Sequence, residues 1–326
     1  MMMTAKEKAI KQMNEYGENN IPFLFVIDYE MQMPEVVPLR EVDCRQILFS
    51  IGSLCNYHES TAELRQFSFE KNPVCYACYC KAFDLIMENI RKGNTYLANL
   101  TFPTAINTSL SLRDIFFLSR AKYKLFFDDR FVVFSPETFI RVEKGRISTF
   151  PMKGTIDASV KNAREKLLHN AKEAAEHATI VDLLRNDLSK VARGVEVKRY
   201  RYVEEIVTHE KKLLQTSSEI TGELPHDYAA HIGTLLFSLL PAGSVTGAPK
   251  NKTVEIIARA EKIPRGYYTG IFGYFDGQVL ESAVMIRFIE NFQGLLRYRS
   301  GGGITFDSCP EDEYREMIDK VYVPFY

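Results

Sequence analysis

Apolar and polar positions along this chain follow two periods, and the places where the period changes mark its elements. From Tyr79 to Lys92, Phe83, Ile86, Met87 and Ile90 recur at helical spacing, and Gly93 ends the run. This pattern predicts a helix with one face against a core. Tyr96–Phe102, Lys124–Phe127, Phe131–Phe134, Thr138–Val142 and Arg146–Phe150 are short runs rich in β-branched and aromatic residues. They predict strands, with Gly145 turning between the last two. Helical spacing returns from Asn162 to about Val191, over Ile232–Leu240 and over Thr253–Glu261. Tyr268–Phe275, Val279–Phe288 and Leu295–Arg299 read as strands again, joined by turns at Asp276-Gly277 and before Gly294. Near the N-terminus, IPFLFVIDYE predicts an added edge strand. Tight turns imply antiparallel pairing, and two strand groups separated by helices predict an α+β fold with helices outside the sheets.

Composition narrows the class. At 326 residues, 46% hydrophobic and 25% charged, the chain can bury a large core, and no Pro/Gly/Ser linker divides it, so one catalytic unit is expected. A formal net charge of −1 offers no general basic surface for nucleic acid, so any anion site must be local. The polar Met1–Asn20 segment lacks a signal-peptide pattern and no long apolar run stands out, which sets the expectation of a cytoplasmic protein without a membrane partner. Six cysteines are too few for a disulfide scaffold. Cys75, Cys78 and Cys80 cluster in VCYACYC, but without an evident fourth ligand they are expected to be structural thiols leading into an apolar helix.

The candidate chemistry begins with four carboxylates in two E-x-x-E pairs, Glu173/Glu176 and Glu313/Glu316. Three-residue spacing puts each pair on one helix face. The first continues into Ile180, Leu183 and Leu184, which places it near the packed interior, where magnesium is a fitting counter-ion. Taken singly, either pair also fits a solvated helix face. Ser244–Pro249 (SVTGAP) and Gly301–Gly303 are small-residue loops whose amides could meet an anion, although neither is a phosphate fingerprint and both also suit plain turns. Lys153 in FPMKGT and Glu137 in FSPETF suit a nucleophile and a proton donor if the fold encloses them; alone, Lys153 reads as an exposed loop lysine.

In this order the motifs resemble the chorismate-utilising enzymes: anthranilate synthase large subunit, aminodeoxychorismate synthase component I, isochorismate synthase and salicylate synthase. The resemblance rests on GNTYLANLT, FSPETF, PMKGT, EHATIVDLLRNDL, GSVTGAPK, the R-x-x-Y-x-G-x-x-GY of Arg265–Tyr274, Ile286-Arg287, GGGITFDS and EYREM, and it spans about Phe69 to Tyr326. It implies two stacked antiparallel β-sheets with helices on the outer faces and a site between them. Residues 69–326 would be the catalytic core, and residues 1–68 a short segment completing the sheet.

The resemblance also implies roles. Glu176 and Glu316 match direct magnesium ligands, with Glu173 and Glu313 their water-mediated partners. Thr246, Gly247, Tyr268, Arg287 and Gly301, Gly302 and Gly303 match groups that hold the carboxylates of chorismate, and Glu137 matches the acid that protonates the departing hydroxyl. Lys153 selects the branch. Anthranilate synthases read P-I-A-G-T where aminodeoxychorismate synthases read P-I-K-G-T, whose lysine attacks ring carbon 2 before ammonia adds at carbon 4. TYLANLT lacks the lysine that activates water in the isochorismate- and salicylate-forming relatives. Gln215 stands where a histidine is common, which disfavours loss of pyruvate because an amide does not shuttle protons. The expectation is therefore aminodeoxychorismate synthase component I in the folate pathway. Its ammonia would come from a separate glutamine amidotransferase, since no G-x-C-x-G turn is present. Anthranilate synthase component I and a non-catalytic chorismate-binding subunit are the alternatives, and the short N-terminal region speaks against feedback by tryptophan.

Overall fold

A computed structural model describes residues 3–58, 67–207 and 212–325. Two nine-stranded antiparallel sheets form its frame. The first runs β11 (Met152–Asp157), β13 (Lys212–Glu223), β10 (Arg146–Thr149), β9 (Thr138–Glu143), β16 (Val279–Val284), β15 (Ile271–Phe275), β1 (Phe23–Ile27) and β2 (Glu35–Pro38), with β12 (Arg193–Val207) paired to β13. The second runs β14 (Gly247–Ala248), β6 (Leu97–Thr108), β18 (Leu295–Ile304), β17 (Phe288–Phe292), β8 (Phe131–Ser135), β7 (Tyr123–Phe127), β3 (Ile47–Ile51) and β4 (Leu54–Cys55), with β5 (Phe69–Asn72) on β6. The helices are α1 (Ala5–Glu18), α2 (Tyr76–Arg91), α3 (Leu112–Leu118), α4 (Ala163–His169), α5 (Ala171–Leu188), α6 (Ile232–Leu239), α7 (Lys250–Glu261) and α8 (Pro310–Asp319).

Strand β1 shows why the layers stack. All five residues of FLFVI are buried. Phe23, Phe25 and Ile27 join one core with residues of α1, α5 and α6, while Leu24 and Val26 join another with Phe49, Leu125 and Phe131 of the second sheet. Side chains alternate across a strand, so a run apolar at every position belongs in a sheet covered on both faces. For the same reason the expected edge strand is an interior one: β1 lies between β15 and β2, and β2 takes the edge. The first 68 residues thus supply strands to both sheets and helix α1, which packs on α6.

On the outer face of the second sheet, α2, α7 and α8 bury Phe83, Ile86, Ile257 and Met317 with Leu100 of β6. The single helix expected from Asn162 to Val191 is two, because Asn170 takes an extended conformation, ends α4 and caps α5 by accepting from the Glu173 amide. The stretch Tyr228–Val245 is apolar enough over 18 residues to cross a membrane by length and composition, contrary to expectation. Here it is a 3-10 turn, α6, a short loop and a second 3-10 turn, and Ile232, Leu236 and Leu239 of α6 are core residues.

Candidate active site

A cleft of about 430 Å³ opens between the two sheets. One wall comes from the first sheet. Strand β11 carries Lys153 at a bulge, where pairing with β13 shifts register between Lys153 and Thr155. Gly154 makes the bulge with φ +79°, a left-handed conformation that glycine adopts without strain. A Cβ there would lie 3.2 Å from Oε2 of Glu173, so the strand and the first turn of α5 are close. Glu176 follows one turn later, and its Oε2 lies 3.6 Å from Lys153 Nζ.

The other wall comes from the second sheet. Gly301, Gly302 and Gly303 lie on β18 opposite Thr101, Leu100 and Asn99 of β6. A Cβ on Gly301 would stand 2.1 Å from the Leu100 carbonyl oxygen, and one on Gly302 would stand 3.2 Å from Oε2 of Glu313 and 3.5 Å from Oε1 of Glu316. These glycines let α8 bring its carboxylates down onto the strand. Lys320 closes this wall, donating to Glu316 at 2.5 Å and to the Gly301 carbonyl at 2.9 Å.

Glu137 enters from the turn between β8 and β9, and its carboxylate accepts a hydrogen bond from the Ser244 hydroxyl. Burial pushes this carboxyl above the usual carboxylate range, with Ser244 and the Lys153 charge pulling partly back. Tyr268 is 4% exposed, and burial pushes its phenol up to about 12. Arg287 lies over the Tyr322 ring at 4.5 Å and donates to the Lys320 carbonyl. Gln215 lines the cleft from β13 beside Thr155.

Thr246 and Gly247 do not line this cleft; Ser244 and Val245 do. Thr246 is fully buried, and its carbonyl accepts from the Asn99 amide. Gly247 pairs with Ala98, where a Cβ would come 1.9 Å from the Leu97 carbonyl oxygen. Here β14 comes close to β6, and Lys250 just beyond fixes the loop by donating to Asp187 of α5 at 2.7 Å.

Two further residues were not assigned from the sequence. Arg265 is 2% exposed, pairs with Glu261 through two bonds of 2.6 and 2.9 Å, and donates to the carbonyls of Val245 and Asn99, both on the cleft floor. His177, next to Glu176, is fully buried and bonds the Ser218 hydroxyl at 2.6 Å. Burial holds it near 4, with the charges of Arg201 and Lys153 adding to the effect. Arg265 sits between α7 and β15 with no apolar spacing to mark it as buried, whereas His177 falls on the stripe of Ile180 and Leu184, so the helical period itself points it inward.

Among the described residues no three Asp, Glu, His or Cys side chains converge closely enough to hold a metal ion. The four glutamates instead line the cleft as two pairs, with an ammonium group on Glu176 and another on Glu316. The four carboxylates are hard oxygen donors of the kind magnesium takes, and an ion there would replace the ammonium contacts at Glu176 and Glu316.

The chorismate binding enzyme family matches residues 24–325. An uncharacterised PabA-like protein of Pasteurella multocida is 52% identical over 97% of this chain and 98% of its own length. An anthranilate synthase component 1 of Archaeoglobus fulgidus is 37% identical over 72% of this chain, and an aminodeoxychorismate synthase component 1 of Salmonella typhimurium is 32% identical over 83%. The chain spans 58% and 65% of the length of those two. Among solved structures, the isochorismate synthase of Escherichia coli superposes with a TM-score of 0.73 over 98% of this chain and 81% of its own at 18% identity, a likeness of fold. By the match of all but its ends to that family, the chain belongs to the chorismate binding enzymes.

Proposed function

We propose that this protein aminates chorismate at ring carbon 4 as the synthase subunit of an aminodeoxychorismate synthase. The observation that carries the reading is Lys153, held on a bulged strand at the cleft wall with Glu137 and Glu176 in the same cavity. A lysine there is the residue that, by resemblance, separates this branch from anthranilate formation.

Arg287 and the amides of Gly301–Gly303 orient the two carboxylates of the substrate, a guanidinium being suited to bidentate pairing. A magnesium ion held by Glu176 and Glu316, with Glu173 and Glu313 behind them, would neutralise the ring carboxylate. Lys153 first gives up its ammonium proton to solvent; its nitrogen then adds to ring carbon 2, the ring double bond shifts, and the carbon 4 hydroxyl departs as water with the proton of Glu137. Burial of Glu137 raises its carboxyl and so favours the protonated form that this step uses. Ammonia then adds at carbon 4, the double bond shifts back and the lysine leaves. Gln215 supplies no imidazole, so elimination of pyruvate is not promoted. A separate glutamine amidotransferase would deliver the ammonia.

A second reading has its own support, since the relative named anthranilate synthase component 1 is the more similar of the two named synthases, at 37% against 32% identity. Incubation with chorismate, ammonium and magnesium, followed by product mass and absorbance, separates them. Aminodeoxychorismate is the expected product. Anthranilate with pyruvate would establish the second reading, and an inert protein, with ammonium and with an amidotransferase alike, would make it a binding subunit.

A further inference from the structure

Helix α2 opens on thiols that the cleft does not use. Cys75 is its N-cap, Cys78 sits in its first turn, and both are exposed rather than structural as expected. The reason is position along the helix: the buried stripe starts at Tyr79 and runs on through Ala82, Phe83, Ile86 and Met87, while Cys75 is the N-cap ahead of it and Cys78 lies at its margin in the exposed first turn. Their sulfurs face each other at 2.8 Å. Two exposed thiols in Cys-x-x-C spacing at the start of a 16-residue helix have the arrangement in which one sulfur attacks and the other resolves.

The neighbouring thiols are engaged elsewhere. Cys309 bonds the Glu311 carboxylate at 3.0 Å, and Cys80 is only partly exposed, on the turn after Tyr76. The pair itself is asymmetric. Its partner's thiol and amide, with the charge of Lys81, hold Cys75 below the usual thiol range, while Cys75 pushes Cys78 up. The pair also adjoins the acidic helix of the cleft. Tyr314 of α8 donates to the carbonyl of Val74 at 2.7 Å, and its ring packs on Tyr76 and Tyr79 at 5.2 and 5.3 Å.

We propose that Cys75 and Cys78 are a redox-active dithiol that exchanges with small disulfides of the glutathione class. The Cys75 thiolate attacks one sulfur of the small disulfide, whose S–S bond breaks and releases one thiolate, which takes up a proton. Cys78 then loses its proton and attacks Cys75 Sγ, expelling the second small thiol. Two cysteine thiols are oxidised to one disulfide and one small disulfide is reduced to two thiols. This site stands independently of the proposed amination.

The test uses the full chain, equilibrated with mixtures of reduced and oxidised glutathione, alkylated and read by intact mass and peptide mapping. Wild type is expected to lose two hydrogens with a disulfide mapped between Cys75 and Cys78. Cys78→Ser is expected to keep one glutathione on Cys75, and Cys75→Ser to react about tenfold more slowly at Cys78. A wild type that stays reduced at this pair under oxidised glutathione, that accumulates the mixed disulfide, or that links either cysteine to Cys80 or Cys309 would overturn the proposal.

Discussion

The two walls of the cleft repeat one plan with different lysines. On each, a glycine in a strand admits the carboxylates of a neighbouring helix: Gly154 beside Glu173, Gly302 beside Glu313 and Glu316. On each, an ammonium group meets one of those carboxylates. Lys320, however, comes from the end of the same helix as Glu316, four residues on, and also holds the Gly301 carbonyl. It clamps a helix to its strand. Lys153 comes from the strand at a bulge and reaches Glu176 at a looser 3.6 Å. Equal charge and similar partners thus tie one lysine into its own helix and leave the other reaching from a strand to a helix across the cleft wall, and the difference lies in which element carries it.

The largest expected effect strikes both walls through their floor. Arg265 bonds carbonyls of Asn99 and Val245 and pairs with buried Glu261, so Arg265→Ala leaves that carboxylate unpaired and is expected to cost about 3–5 kcal/mol in denaturant unfolding. A loss below about 1 kcal/mol would remove Arg265 from the account. Next, Glu137→Gln is expected to lower kcat about 10²- to 10³-fold while leaving stability nearly unchanged. Because burial raises this carboxyl, it remains a donor to higher pH than an ordinary carboxylic acid, and activity falls as pH rises through its raised value. The pH–rate profile of the glutamine variant should lack that limb.

Gly154 and Gly302 sharpen the comparison. Gly154→Ala must hold a side chain at φ +79° and is expected to destabilise by about 1–2 kcal/mol in thermal unfolding. Gly302→Ala carries no such strain and only crowds the carboxylates, so activity should drop further than stability. Matching stability losses would contradict this. Smallest of all, Lys320→Ala breaks a partly exposed pair and should cost at most about 1 kcal/mol.

Much of this frame was legible because its strands are apolar and its turns are marked. Gly145 and Asp276-Gly277 placed the β9–β10 and β15–β16 hairpins, and Ile180, Leu183 and Leu184 announced α5. The β12–β13 hairpin is harder to read because Arg193–Val207 interleaves Arg, Lys and Glu with its valines and tyrosines, and β12 pairs along one edge only. In the site, the acid pairs, Lys153 and Glu137 stood out by residue type. What sequence could not supply was depth: the small residues of Thr246-Gly247 read as an open anion loop, whereas Thr246 is buried and a Cβ on Gly247 would meet the Leu97 carbonyl. Arg265 was hidden for the opposite reason, since a charged residue gives no sign of burial until its partners are in place.

The central claim is that Lys153 carries the chemistry and Lys320 the scaffold. The most direct measurement is the product formed from chorismate, ammonium and magnesium by Lys153→Ala and Lys320→Ala side by side, quantified by mass spectrometry against wild type. The account predicts that Lys153→Ala loses aminodeoxychorismate or shifts toward anthranilate, while Lys320→Ala makes the wild-type product at a rate within about tenfold. Equal losses from both variants, or an unimpaired Lys153→Ala, would contradict it.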